Sequence, residues 1–195
     1  MSGRESAAGE APAPVRMRSA RLEDLRDRST VSRMLAAYLL QTEREKGAEV
    51  THASALPARY RLEVEDPASA LRGCDVILAQ LEDTDVGMAV VTAPARHRSE
   101  IKRLWTEPEA RRQGVGRALV ESCVERAAQR GAHAVELTVW QWRTGAIAVY
   151  ERAGFAQVES WDPRPGLVCL RRTLVPGAPS APGTSQANGP LNVRD

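Results

Sequence analysis

A short turn between a strand pattern and a helix pattern constrains the fold of this chain more than any other feature. Residues 111–119 read RRQGVGRAL, with two glycines two positions apart where the helix pattern begins. Glycine permits left-handed backbone and a close ligand approach, and the first amide N–H groups of a helix have no acceptor inside it. These amides and the positive end of the helix dipole form an anion site that suits phosphate. The same glycines would also suit a tight turn needed only for steric reasons.

Two well-known phosphate-binding motifs are excluded by the residues around this turn. A dinucleotide fingerprint requires a third glycine where Leu119 stands, and a P-loop requires Gly-Lys followed by Ser or Thr. Arg111, Arg112 and Arg117 nevertheless add positive charge beside the free amides. The turn is therefore a candidate phosphate site of another type.

Alternating strand and helix signals predict one mixed α/β domain over residues 15–175. Residues 48–72 show no clear pattern, and Pro57 and Pro67 interrupt any long element there. The two ends, 1–14 and 176–195, are polar and rich in Pro or Gly, so we expect disordered tails. The predicted strands are 15–21, 76–81, 86–91, 100–106, 135–142, 155–161 and 167–174, and the predicted helices are 22–46, 116–130 and 146–152.

Composition excludes several other classes of function. The 27 basic and 25 acidic side chains give a net charge of +2, which indicates no nucleic-acid partner. Cys74, Cys123 and Cys169 are widely spaced, as are the three histidines, so neither a metal site nor a disulfide framework is expected. No apolar run serves as a signal peptide or reaches the ~20 residues that span a membrane. A cytoplasmic protein without a membrane partner is therefore expected.

Residues 100–155 resemble the GNAT superfamily of acetyl-CoA-dependent N-acetyltransferases. The turn matches the family's pyrophosphate loop, and the following strand and helix match its next two elements. The matching motifs are Arg111-x-x-Gly114-x-Gly116, Leu137-x-Val139, Ala146 and Tyr150-Glu151-x-x-Gly154-Phe155. The resemblance implies an α/β GNAT fold, with a mixed and mostly antiparallel central sheet of six to seven strands flanked by helices.

The resemblance also implies acetyl-CoA as the co-substrate and a set of residues that bind it. Its pantetheine arm would lie beside the strand that ends at Leu104, Trp105 and Thr106. Its diphosphate would bind the turn, whose residues are Arg111, Arg112, Gln113, Gly114, Val115, Gly116, Arg117 and Ala118. The chain departs from the family at Arg143, where many members carry an asparagine, and that asparagine's role is not transferred to Arg143.

Two residues are candidates for proton transfer in an enzyme of this family. Tyr150 would protonate the departing thiolate, since a phenol with an ordinary pKa of about 10 holds its proton at neutral pH. Glu100 would accept the proton of the amine, because it stands where some histone-acetylating members carry a glutamate. The alternatives are a buried structural tyrosine, and a surface glutamate paired with Lys102 or Arg98 while water takes the proton.

The acceptor is expected to be a small-molecule primary amine. Seven carboxylates lie between Glu63 and Asp85, and they would either attract a cationic amine or form a hydrated loop and hairpin. Protein or peptide N-termini and lysines are the alternative acceptors. A non-catalytic module that binds acyl-CoA is the alternative from another class. Trp161 would border either the acceptor or a homodimer interface.

Overall fold

The computed structural model describes residues 14–174. Of the two predicted tails, only Pro14 falls within this range, and the remainder lies outside the described residues. The seven strands are β1 (Arg16–Ser19), β2 (Cys74–Leu81), β3 (Thr84–Thr92), β4 (Arg98–Thr106), β5 (Ala134–Trp140), β6 (Ala156–Val158) and β7 (Leu167–Thr173). The five α-helices are α1 (Leu25–Glu45), α2 (Ala58–Glu65), α3 (Pro67–Ala70), α4 (Val115–Gln129) and α5 (Thr144–Arg152).

All seven strands belong to one sheet in the order β1-β2-β3-β4-β5-β7-β6. The pairing of β4 with β5 is parallel, and the other five pairings are antiparallel. The predicted fold, a mixed and mostly antiparallel sheet flanked by helices, is confirmed.

Local capping explains where the helices begin. Helix α1 starts three residues later than predicted, because the Asp24 carboxylate accepts the backbone N–H groups of Arg26 at 2.8 Å and Asp27 at 3.1 Å. The two prolines of residues 48–72, the segment without a clear pattern, both lie at helix starts. Pro57 occupies the N-cap position of α2, and Pro67 is the first residue of α3.

Each face of the sheet packs against helices through alternate residues of its strands. Ile77 and Val91 face the core under α4 and α5, whereas Val76 and Val90 face the core under α1. This alternation follows from the two-residue period of a strand. The sheet therefore holds the N-terminus of α4 and the inner face of α5 on the same side.

Gly87 in β3 allows α4 to lie close to the sheet. A Cβ at this position would stand 2.9 Å from the carbonyl oxygen of Trp105 and 3.1 Å from side-chain carbons of Val115 and Leu119. Because backbone on one side and a buried helix on the other leave no room, Gly87→Ala is expected to lower the free energy of unfolding by about 1–3 kcal/mol.

Urea denaturation measures this loss directly. Gly145→Ala in α5 is the matched control, because a Cβ at Gly145 would have no neighbour within 4 Å. It should leave stability unchanged or slightly higher, since alanine favours a helix. Equal stability of the Gly87 variant and wild type would show that α4 can shift without strain.

Candidate functional site

Strands β4 and β5 separate in the middle of the sheet. Their parallel pairing extends over three residue pairs, from Arg98 with Ala134 to Glu100 with Glu136. Beyond Glu100, β4 pairs only with β3, while β5 continues to Trp140 along β7. The two strands thus present facing backbone edges across a V-shaped opening.

A bulge in β4 lies within this opening. Arg103 and Leu104 together stand opposite the single residue Ala89 of β3, and Arg103 has a φ of 53°. A bulge of this kind leaves backbone groups outside the ladder and redirects the side chains beside it. The guanidinium of Arg103 points to Glu63 of α2, to which its Nε and Nη2 donate at 2.8 and 2.6 Å.

The glycine turn forms a concave set of amides at the start of α4. Arg112 and Gly114 have φ of 65° and 83°, a left-handed pair around Gln113 that turns successive N–H groups to one side. Within residues 14–174, the N–H groups from Gln113 to Arg117 have no acceptor. The N–H of Ala118 donates to the carbonyl oxygen of Gly114 at 3.0 Å, so it belongs to the helix ladder.

These amides open onto a cleft of about 630 Å³ between α4, α5, α1 and the end of β4. Eight of the eleven residues expected to bind the co-substrate line it: Leu104, Trp105, Thr106, Arg111, Arg112, Gly114, Gly116 and Arg117. The side chain of Gln113 instead donates to the carbonyl oxygen of Glu109, and that of Val115 is in the core. Neither these two nor Ala118 lines the cleft with its side chain, and Ala118 has no free amide to offer. We call this space the donor cleft.

A second cavity, of about 330 Å³, adjoins the donor cleft at the opening between β4 and β5. Glu100 and Tyr150 both line it, so the structure brings the two candidates for proton transfer together. Its other polar walls come from α1, α2, β4, β5 and the β6–β7 loop. The residues that were not predicted individually as site residues are Tyr38, Thr42, Arg59, Tyr60, Glu63, Lys102, Arg103, Thr138 and Arg164. We call this space the acceptor cavity.

Tyr150 is the one buried residue of α5, with 6% of its surface exposed. Its hydroxyl has no hydrogen-bond partner in the described part of the chain, and its ring lies edge-on to Phe155. Burial raises the pKa of Tyr150 above its ordinary value, and Tyr38 and Cys123 act in the same direction. The phenol therefore keeps its proton at neutral pH.

Glu100 is half-buried at the point where β4 and β5 part. Its carboxylate pairs with the Lys102 ammonium at 3.1 Å, and its backbone N–H donates to Thr92 Oγ1 at 2.9 Å. This ion pair agrees with the alternative interpretation, in which Glu100 is a surface glutamate paired with Lys102. Glu100 also lines the acceptor cavity, so its interpretation as a base stays a prediction.

Arg143 stands between the donor cleft and the acceptor cavity and lines both. Its Nε donates to Glu45 at 2.7 Å, and its Nη2 donates to Thr42 Oγ1 at 2.7 Å. Burial would raise the pKa of Glu45, but hydrogen bonds from Gln41, Arg143 and Trp142 outweigh it and lower that pKa. Helix α1 thus holds the guanidinium of Arg143 in a fixed position.

The seven carboxylates between Glu63 and Asp85 do not form one surface. Glu63 alone of the seven lines the acceptor cavity. Asp75 pairs with Arg130 at 2.5 Å, and Asp66 caps α3. Asp83 and Asp85 pair with arginines of β1 at the far edge of the sheet. This placement matches the hydrated loop and hairpin rather than an acidic acceptor site.

Two further findings concern metals and membranes. Residues 14–174 contain no group of three or more His, Cys, Asp or Glu side chains that could hold a metal ion. None of the helices described is both long and apolar enough to cross a bilayer.

Several solved structures share this fold. An acetyltransferase of the GNAT family from Staphylococcus aureus aligns with a TM-score of 0.62 over 83% of this chain and 100% of its own, at 13% identity. The PaiA N-acetyltransferase from Thermoplasma acidophilum, solved in complex with coenzyme A, aligns with a TM-score of 0.61 over 83% of this chain and 99% of its own, at 14% identity.

Sequence comparisons give the family directly. An uncharacterized N-acetyltransferase of Methanocaldococcus jannaschii is 39% identical over 64 residues, which are 33% of this chain and 28% of that protein's length. The model of the acetyltransferase (GNAT) family matches residues 32–155, a range that contains the glycine turn, both opened strands and Tyr150. The chain belongs to the acetyltransferase (GNAT) family.

Proposed function

We propose that this protein is an N-acetyltransferase that moves an acetyl group from acetyl-CoA to the primary amine of a small molecule. The observation that carries the proposal is that the two spaces adjoin each other. The donor cleft and the acceptor cavity share Tyr38, Leu104, Arg143 and Ala146 and meet where β4 and β5 part. An acyl donor and an amine entering from the two sides would meet at that point.

The donor cleft suits a nucleotide diphosphate with an extended arm. Its free amides and the three arginines of the glycine turn supply the donors and positive charge that a diphosphate needs. The unpaired edge of β4 supplies backbone groups for an amide-containing arm. When bound, acetyl-CoA supplies an activated acyl group and a thiolate leaving group.

Tyr150 would serve as the general acid. It holds a proton at neutral pH, its hydroxyl has no other partner, and it borders the cavity where the two spaces meet. A proton donor aligned with a leaving group contributes about 10²–10⁴-fold to a rate.

Glu100 would accept the proton of the attacking amine. An alkyl amine has a pKa of about 10.4, so most of it is protonated and unreactive at neutral pH. We expect Glu100→Gln to lower kcat/KM about 10²-fold at neutral pH. The loss should shrink as the pH approaches the pKa of the amine, because the amine then loses its proton to solvent. Initial rates across pH measure this change.

Lys102→Gln is the matched control for Glu100. If Glu100 acts only through its ion pair, the two variants should show the same loss at every pH. If the loss of kcat/KM becomes smaller at high pH in Glu100→Gln but not in Lys102→Gln, Glu100 is the base. A loss of kcat/KM that is the same at every pH would remove Glu100 from that role.

The size of the acceptor cavity supports a small acceptor. At about 330 Å³ it lies near the lower end of the ~300–1,000 Å³ typical of small-molecule pockets. Helix α2 and the β6–β7 loop also contribute side chains to its walls, through Tyr60 and Arg164. A protein N-terminus or lysine would need a groove that admits the flanking chain.

The direct test is amine-dependent release of CoA thiol, with products identified by mass spectrometry. The panel contains small amines, amino acids and peptides. Acetylated small amines support the proposal. Exclusive acetylation of peptides would show that the acceptor is a peptide or protein amine instead of a small molecule. Coenzyme A binding without any transfer would favour a non-catalytic acyl-CoA-binding module. The cytoplasmic location and the homodimer stay predictions from the sequence.

A further inference from the structure

The acceptor cavity carries an excess of positive charge. Five basic side chains line it, and four of them pair with carboxylates, those of Glu45, Glu63, Glu100 and Asp162, which leaves Arg59 as the excess cation among the described residues. The basic residues are Arg59, Lys102, Arg103, Arg143 and Arg164. An acceptor with a second positive charge would be repelled by these walls, whereas an acceptor with a negative group would be attracted.

Three of the arginines that line the cavity have guanidinium groups not fully used in hydrogen bonds within residues 14–174. Arg103 uses its Nε and Nη2 for Glu63, which leaves Nη1. Arg164 uses its Nε and Nη2 for Asp162 at 2.9 and 2.6 Å, which again leaves Nη1. Arg59 donates to the hydroxyl of Tyr60 at 3.0 Å, and within residues 14–174 it has no carboxylate partner.

The guanidinium groups are held on aromatic rings. Arg59 lies 4.5 Å and Arg103 lies 5.5 Å from the ring centroid of Tyr60, so one ring supports both cations. Arg164 lies 6.0 Å from the ring centroid of Trp140. Hydrogen bonds from Arg164 also hold the pKa of Asp162 at about 2, so that this pair persists at any assay pH. An arginine side chain that is already fixed in this way loses little conformational entropy when it binds an anion.

We propose that the acceptor is an amine that also carries an anionic group, which Arg59 and Arg164 bind at the outer end of the acceptor cavity while the amine faces Tyr150 and Glu100. This inference rests on the proposed function and narrows its substrate class. The planar fork of arginine fits both carboxylate and phosphate-type oxygens. Amino acids and phosphorylated amines share this chemistry.

The excess charge of Arg59 at the outer end of the cavity also weakens the binding of a second ammonium group there. The anionic group of the acceptor offsets the repulsion during binding. Polyamines have no such group, and the acceptor cavity selects against them.

The test compares matched acceptors with the purified full-length protein. Straight-chain and aromatic primary amines are offered in sets that differ at the far end: carboxylate, phosphonate, carboxamide or a second amine. We expect kcat/KM to be about 10-fold or more higher for an anionic member than for its carboxamide, and lowest for the diamine. The carboxylate and phosphonate members distinguish the two kinds of anion.

Two variants connect the preference to the arginines. Arg59→Gln and Arg164→Gln should each reduce the ratio of kcat/KM between the anionic acceptor and its carboxamide. Arg61→Gln on the same helix α2 should keep the ratio, because Arg61 lies outside the cavity lining and pairs with Glu65 at 3.8 Å.

The outcomes separate this inference from the proposed function. Equal or faster acetylation of carboxamides, diamines or peptides overturns the anionic acceptor but leaves an acetyltransferase. An unchanged ratio in both arginine variants likewise overturns it. Coenzyme A binding with no acetylation of any amine overturns the proposed function itself.

Discussion

Gly116→Glu is expected to abolish binding of coenzyme A, with a Kd raised about 10²-fold or more. Gly116 is the second residue of α4 and lines the donor cleft. A glutamate there would place a carboxylate against the free amides from Gln113 to Arg117 and would repel a diphosphate. The fold should tolerate the change, since acidic residues stabilise the first turn of a helix. Titration calorimetry with coenzyme A measures the loss.

Gly116→Ala is the control for this variant. A Cβ at Gly116 would lie 3.7 Å from Thr106 Oγ1, an ordinary contact, so alanine adds bulk without charge or strain. Position 116 is a cleaner probe than Gly114, whose φ of 83° makes any side chain costly. Unchanged affinity in a Gly116→Glu protein with wild-type thermal stability would contradict the diphosphate site.

Tyr150→Phe should lower kcat about 10²-fold or more while the Kd for coenzyme A stays within about twofold. The substitution removes one oxygen and preserves the ring that packs beside Phe155. Because the pKa of Tyr150 is raised, wild-type turnover should show no loss from tyrosine ionisation as the pH rises to about 10. Steady-state rates and calorimetry on the same preparations test both parts.

Two results would change the role of Tyr150. Equal kcat in the phenylalanine variant would make Tyr150 a structural residue of α5. A parallel loss of stability and turnover would also favour packing, and a urea titration of both proteins separates this case from proton transfer.

The sequence predicted the turn, strand and helix that border the donor cleft, because their signals are local. The glycine turn, the strand before it and the helix after it lie within residues 100–130, and short-range backbone preferences specify them. The expected contact between the Ala118 amide and the diphosphate is an exception, because the spacing of the glycines does not show where the hydrogen bonds of helix α4 begin. The Gly114 carbonyl accepts that N–H.

The family resemblance indicates that residues 48–73, the first helix and the 162–166 turn form the acceptor side, but the individual residues that line it could not be predicted in the same way. Arg59, Arg103 and Arg164 come from α2, the β4 bulge and the β6–β7 loop, and no pattern in any one segment indicates that they face one cavity. The acidic stretch was visible in the sequence, but its charges point to different arginines around the sheet. Only the tertiary arrangement shows that the cavity is basic.

The three residue pairs that join β4 to β5 have a consequence for how the protein responds to its ligands. This short pairing connects a four-stranded half of the sheet, β1 to β4, with a three-stranded half, β5 to β7. A ligand bound between β4 and β5 beyond Glu100 would form hydrogen bonds with backbone groups that are unpaired there, and it would connect the two halves of the sheet. The rigidity of the sheet would then depend on the bound ligand, and the ligand-bound protein would be the more rigid one.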